Sequence, residues 1–492
     1  MDKKKTLIIA IIAVAVLVGV MLLLLFLPKG GGSDADTATA DEGIRMELST
    51  DEKGVHQAII GRDAFGNVEN NSSGTLMQYV PADIKTIHVE NTYGCFDVVA
   101  ETPEGDATVY TMKGYEEFTL QSGAPDAIAN AAASLAFTQV AGQDNGGSEF
   151  GFDAPRSVVT VTYSDDTSSV ITVGNDAPQG KGTYVKFGDG KDIFLVETSL
   201  VSAFDYSVND MISKVINDSA SDSDSAQASV IEVEAGGESF AIEPYTGEKY
   251  QSHYLMTKPE SRFANEMESS RIEGGIRGLY ADMIVMVNPS EGQYNDLGLS
   301  YATLTAEYSD GTVKLHASQP DAEGKVNLML DGRNVVYQLA ADKVAWVSTS
   351  YEKLVGEYVL YPKMTALKGM KVNDRDFTLS TRVSHTTDDE GNESTSTVTT
   401  VFEGSDEIQI ENFQGFCDEA GMIALADAEK ASAGGTPELT IVYTFDDDTS
   451  DTLEFYAAGD SKYVAAVNGT VMGHARKSDI TRVTEDLAKI GK

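Results

Sequence analysis

The sequence is poor in three things on which many functional readings depend: cysteine, positive charge and clustered histidine. Among 492 residues there are two cysteines, Cys95 and Cys417, too few for a disulfide framework. One falls in a strand pattern and the other in a helical pattern, and two unpaired, partly buried thiols are the expectation. Lys and Arg number 36 against 77 Asp and Glu, for a net charge of −41. Such a field opposes nucleic acid and anionic headgroups, which are bound through basic patches, so no nucleic-acid partner is expected. The acids are spread along the whole chain, as in a solvated surface that keeps a protein soluble.

The six histidines, His56, His88, His253, His316, His385 and His474, show no spacing typical of a metal site. The acidic runs at 218–224 and 446–448 lack the Gly and Glu positions of an EF-hand loop and read as solvated turns. Gly274 to Gly278 follows no strand pattern and is not a phosphate loop. Ser350 and Lys353 fit Ser-x-x-Lys, but Ser207-Val208-Asn209 precedes them and no Lys-Thr-Gly occurs, so the set needed for a penicillin-binding type acyl-enzyme is missing. No catalytic, cofactor-binding or metal residues are therefore assigned, no cofactor is expected, and the chain is read as not an enzyme.

Long apolar runs are absent except for one. Residues 6–27 hold no charge and are mostly Leu, Ile, Val and Ala, long enough to cross a bilayer as a helix and longer than the core of a cleaved signal. Lys3, Lys4 and Lys5 place the preceding tail in the cytoplasm. That tail carries three Lys and one Asp, +2, which leaves about −43 for the remainder. The expected localisation is the cell membrane, single-pass, with the N-terminus cytoplasmic and the bulk extracytoplasmic.

What is present is repetition. Residues 160–174, 304–317 and 439–457 each set an aromatic two residues ahead of an acidic turn ending in Thr: Tyr163, Asp165, Asp166, Thr167; Tyr308, Asp310, Gly311, Thr312; and Phe445, Asp447, Asp448, Thr449. The flanks alternate apolar and polar, the period of a half-buried strand. The three aromatics read as core or cross-strand residues rather than a ligand platform. A second turn follows each, at Asp189-Gly190, Asp331-Gly332 and Asn468-Gly469.

Strand patterns precede each hairpin pair and helical patterns follow it, notably 199–216, the region from Asp342, and the end of the chain from Ser478. The expected organisation is a cytoplasmic tail (1–5), an anchor (6–27), a flexible tether (28–43), a first unit with an N-terminal addition (44–217), a linker (218–229), a second unit (230–367) and a third (368–492). The fold class expected is α+β: an N-terminal transmembrane helix, then three tandem repeats of antiparallel sheet with packed helices.

Around Phe150-Gly151-Phe152 and Pro155, followed by Gly174 and by Tyr184-Val185, the sequence resembles a family of bacterial membrane-anchored proteins, the domain of unknown function numbered 4340. The second unit keeps Leu297-Gly298-Leu299 without the Pro, and the third keeps Gly435, Pro437 and Tyr463-Val464. Members are often encoded beside ABC-2 type transporters of the gliding-motility kind. The resemblance implies an extracytoplasmic accessory subunit with transporter permease and ATPase subunits as partners, and it brings no catalytic residues. The alternative function is a cell-surface scaffold or adhesin that binds envelope material or cations by itself.

Overall fold

The computed structural model describes residues 46–68, 73–101, 107–221, 226–387 and 393–490. The expected anchor and tether lie outside them, and no helix among the described residues is long and apolar enough to cross a membrane.

The structure is mostly β, with 45% strand and 20% helix, and the strands of the described residues form five antiparallel sheets. This corrects the α+β class, and the helical patterns show why. The stretch 199–216 does not run as one helix. It breaks into Thr198–Val201, a 3-10 turn at Ser202–Asp205, and Val208–Met211, because Ser207 caps a new start by accepting from the Asp210 N–H. Ser and Asp compete for backbone groups in this way and favour helix ends over helix interiors. The region from Asp342 is a 3-10 segment, Ala341–Ser348, broken at Val344. Among the described residues, the helices of ten residues or more are Ala124–Ala133, Ile410–Gly421 and Lys477–Leu487.

Three large sheets share one strand order. In the third, the order is Asp406–Ile408, Glu393–Glu403, Arg375–Thr387, Leu367–Val372, Leu439–Phe445, Ser450–Ala457, Lys462–Val467, Thr470–Arg476 and Leu425–Asp427. The second sheet repeats this order from Arg262–Phe263 to Met283–Val287, and the first does so from Val109–Met112 to Gln139–Gln143 with one outer strand fewer. In each, four hairpin-linked strands run outward and the strand before them in sequence returns to the far edge.

The repeated hairpins form the middle of each sheet: Ser157–Tyr163 with Ser168–Asp176, Ala302–Tyr308 with Gly311–Ala317, and Leu439–Phe445 with Ser450–Ala457. Their first strands bury alternate residues, the period-2 pattern of a sheet with one face in the core. Asp166 and Asp448 sit at φ +64° and +63° in the turns, a conformation that Asp tolerates better than most residues.

The step from Phe150 to Pro155 lies over the second of these strands in the first sheet. A Cβ at Gly174 would come within 2.1 Å of the Phe150 carbonyl oxygen, so only glycine permits this crossing. Phe150 then meets Tyr184 edge-on at 4.9 Å.

The sheets are tied together by more than chain continuity. Asn217 donates to the Ile276 carbonyl and accepts from the Leu279 N–H, and Ile212 and Ile216 belong to the second core. Between the second and third sheets, the connector 356–363 pairs on both sides. Gln251 N–H donates to the Tyr361 carbonyl and Lys363 N–H to that of Lys249, while Val359 N–H donates to Ile423 and Leu425 N–H to Glu357.

The N-terminal hairpin, Met46–Thr50 with His56–Ile60, lies against the first sheet. His56 is buried between Ser169 and Tyr79, which bond its two ring nitrogens at 3.1 and 3.2 Å. Cys95 is exposed, and Cys417 is buried with its Sγ 3.8 Å from the Met370 sulfur. Both thiols are free.

Candidate functional site

The acidic turns are built alike and covered differently. In the first and third, Thr167 and Thr449 donate both N–H and Oγ–H to the carboxylates of Asp165 and Asp447, closing the loop on itself. A lysine at the start of the neighbouring strand, Lys85 or Lys368, reaches the next aspartate, Asp166 or Asp448. In the second, Arg277 grips Asp310 through both terminal nitrogens and lies 3.8 Å over the Tyr308 ring.

The aromatics of the repeat are all buried, as their alternating position implies. Tyr163 stacks on Tyr79 at 3.8 Å, whereas Phe445 is met edge-on at 5.5 Å by Tyr250, a residue of the second unit. Tyr250 sits in the third core, and its hydroxyl donates to Asp451. Burial, then that carboxylate, pushes its ionisation far above the ordinary tyrosine range.

Beside this insertion lies a cavity of about 600 Å³. Tyr245 and Lys249 line it from the second unit, Thr365 from the turn just before the strand Leu367–Val372, and Phe445, Asp446 and Asp447 from the third unit. Lys249 pairs with Asp447 at 2.8 Å and its ammonium is 4.9 Å from the Phe445 ring centre. The Lys249 and Thr449 hydrogen bonds hold the Asp447 carboxyl down at about 2. A charged pair beside aromatic rings in a junction cavity can bind a polar group.

A second junction cavity, about 720 Å³, is lined by Tyr351, Glu352 and Glu357 of the second unit and its connector and by Leu425, Asp427 and Glu429 of the third. At its wall the donor atoms of Asp427, Glu429 and His474 lie within 4.8 Å of one another. His474 Nδ1 is 2.7 Å from Asp427 Oδ1, and Lys462 Nζ is 2.6 Å from Oδ2. Burial would raise the Asp427 carboxyl, but the bonds from Lys462 and His474 outweigh it and hold it at about 2.

Other sequence candidates go elsewhere. Lys353 donates to the Ser348 carbonyl at 2.6 Å, away from an Oγ-activating role. Gly274 ends the helix Glu266–Gly274. His88, His253 and His316 each face a different carboxylate, Asp97, Glu266 and Asp331; the side chain of His385 and residues 222–225 of the first acidic run lie outside what is described.

The grouping of His474 with Asp427 was not visible in the sequence because 47 positions separate them and they meet only as cross-strand partners at a sheet edge. The Asp427-x-Glu429 spacing was the one local signal.

Residues 111–291 match a family model whose description is Domain of unknown function (DUF4340). The match covers 181 of the 492 residues, and it is this segment that is similar to that family. No curated protein and no solved structure matches it significantly. The DUF4340 segment does not coincide with any one sheet. It starts in the strand Val109–Met112, takes in the central hairpins of the first sheet, and ends after the strand Met283–Val287 of the second.

Proposed function

We propose that this chain is a non-enzymatic accessory or binding subunit, held at the membrane by the apolar run 6–27 with its acidic bulk on the extracytoplasmic side. Its assembly is of the ABC-2 transporter type, with the permease and ATPase as partners. The observation that carries the reading is the joining of three like sheets. The second unit completes the third core with Tyr250, and the second core takes Ile212 and Ile216 from the segment that closes the first unit. Repeated units fixed to one another present a large continuous surface, which suits work by contact.

The charge of residues 1–27 supports the orientation, with Lys3, Lys4 and Lys5 ahead of the apolar run. Crosslinking of the full-length chain in intact cells tests the reading. Recovery of permease and ATPase subunits is the expected result. Recovery of only the chain itself or of wall material overturns it in favour of a surface scaffold.

A further inference from the structure

The far edge of each large sheet is clamped by a lysine and an aspartate. Lys186 meets Asp144 in the first, Lys325 meets Asp282 in the second, and Lys462 meets Asp427 in the third. Lys325 and Lys462 hold the same strand position, whereas Lys186 lies three residues further along its strand, where Thr183 takes that position; Asp427–Lys462 alone would need no further account.

The third sheet adds two donors to it. Lys325 and Lys462 pair with Ala340 and Arg476, so two positions back along the partner strands lie Gln338 and His474, opposite Met283 and Asp427. The second sheet therefore forms the same edge with a glutamine and a methionine where the third has an imidazole and a carboxylate.

The backbone is shaped around this place. Gly473 sits at φ +140°, and a Cβ there would lie 2.2 Å from the Asp427 carbonyl oxygen. Glycine next to His474 lets the Asp427 strand close onto it. Asp427 Oδ1 also accepts the Glu429 N–H at 3.1 Å, which folds Glu429 back toward the same point. Asp427 and Glu429 line the 720 Å³ cavity, so the cluster has a route to solvent.

We propose that Asp427, Glu429 and His474 bind one divalent transition-metal cation of the zinc class. The cation takes His474 Nδ1, Asp427 Oδ1 and a Glu429 oxygen, and its remaining position faces the cavity. The neutral imidazole moves its proton to Nε2, so the His474–Asp427 hydrogen bond is exchanged for two metal bonds with no net proton change. One imidazole and two carboxylates suit a borderline cation at about 2.0–2.2 Å. Calcium takes six to eight oxygens, and the Lys462 charge on the outer oxygen of Asp427 disfavours a site that relies on carboxylates alone. Lys462 in turn holds the Asp427 carboxylate in place, as outer partners of metal ligands do.

The test is equilibrium dialysis of the purified full-length chain against ZnCl2, with bound metal measured by elemental analysis. The expected result is one equivalent of Zn²⁺ that excess Ca²⁺ and Mg²⁺ do not displace. Binding should weaken more than about tenfold in His474→Gln and in Glu429→Gln. Glutamine is the residue that the second sheet already carries at the first position, and Glu429 is exposed, so both variants should keep the fold, as read by circular dichroism. Absence of stoichiometric Zn²⁺, or wild-type binding in folded His474→Gln or Glu429→Gln, overturns the proposal.

Discussion

The second and third sheets have the same strand order, yet they cover the same buried aromatic from different sources. Tyr308 lies under Arg277, which belongs to its own unit; Phe445 lies against Tyr250, which does not. A slot that one sheet fills locally is filled in the other by its neighbour. The second unit can thus complete this part of its core alone, whereas the third cannot. Tandem units become one body when a core position is given up to the adjacent copy, and the 245–252 loop is where that has happened here.

The largest expected effect that would sharpen this comparison is Tyr250→Ala. Losing a buried ring and its hydroxyl bond to Asp451 should cost the third unit about 3–4 kcal/mol. Trp346, the single tryptophan, is fully buried in the second core and donates to the Gly275 carbonyl at 3.0 Å. Its fluorescence reports the second unit, and its denaturation midpoint should move far less than hydrogen exchange in 439–476.

Arg277→Ala should do the reverse and on a smaller scale. It removes the cation over Tyr308 and the paired bonds to Asp310, for about 1–2 kcal/mol. The Trp346 midpoint should fall while exchange in the third sheet stays as it was. A loss shared equally by both sheets in either variant would break the contrast.

A smaller effect is expected at the first sheet, where His56 and Tyr79 from the N-terminal addition cover Tyr163. Burial lowers the His56 ionisation, with Asp165 opposing it. The folded state therefore favours neutral imidazole. Its contribution is complete above the unfolded value of about 6.5 and is lost as pH falls through the lowered folded value. Stability between pH 7 and 5 should decline less in His56→Gln than in wild type, as measured by urea titration at each pH.

The hairpins were legible because the signal is local. Alternation over seven residues places Tyr163, Tyr308 and Phe445 in the core, and Asp, Gly and Thr mark the turns. The closing helix of the third unit is present as Lys477–Leu487, whereas that of the first breaks for an equally local reason, since the apolar spacing of 199–216 is helical while Ser207 and Asp210 stop and restart the chain within it. Tyr250 was beyond reach, because its segment, Glu248-Lys249-Tyr250-Gln251, reads as a polar loop and its partners Phe445 and Asp451 lie about 200 residues away. His474 and Asp427 were hidden in the same way, by a pairing at the edge of the sheet.

The offset of the DUF4340 segment follows from the same architecture. Its residues 111–291 join the central hairpins of one sheet to the outer strands of the next. Together these make one full set of strand positions, divided between two sheets. A sequence repeat can be framed at either point, whereas the cores fix the frame of the fold.

The measurement that bears most directly on the joined-sheet account is hydrogen exchange of the full-length chain, wild type against Tyr250→Ala. The account predicts protection lost across 439–476 and retained around Trp346. Protection unchanged in the third sheet, despite removal of Tyr250, would contradict it.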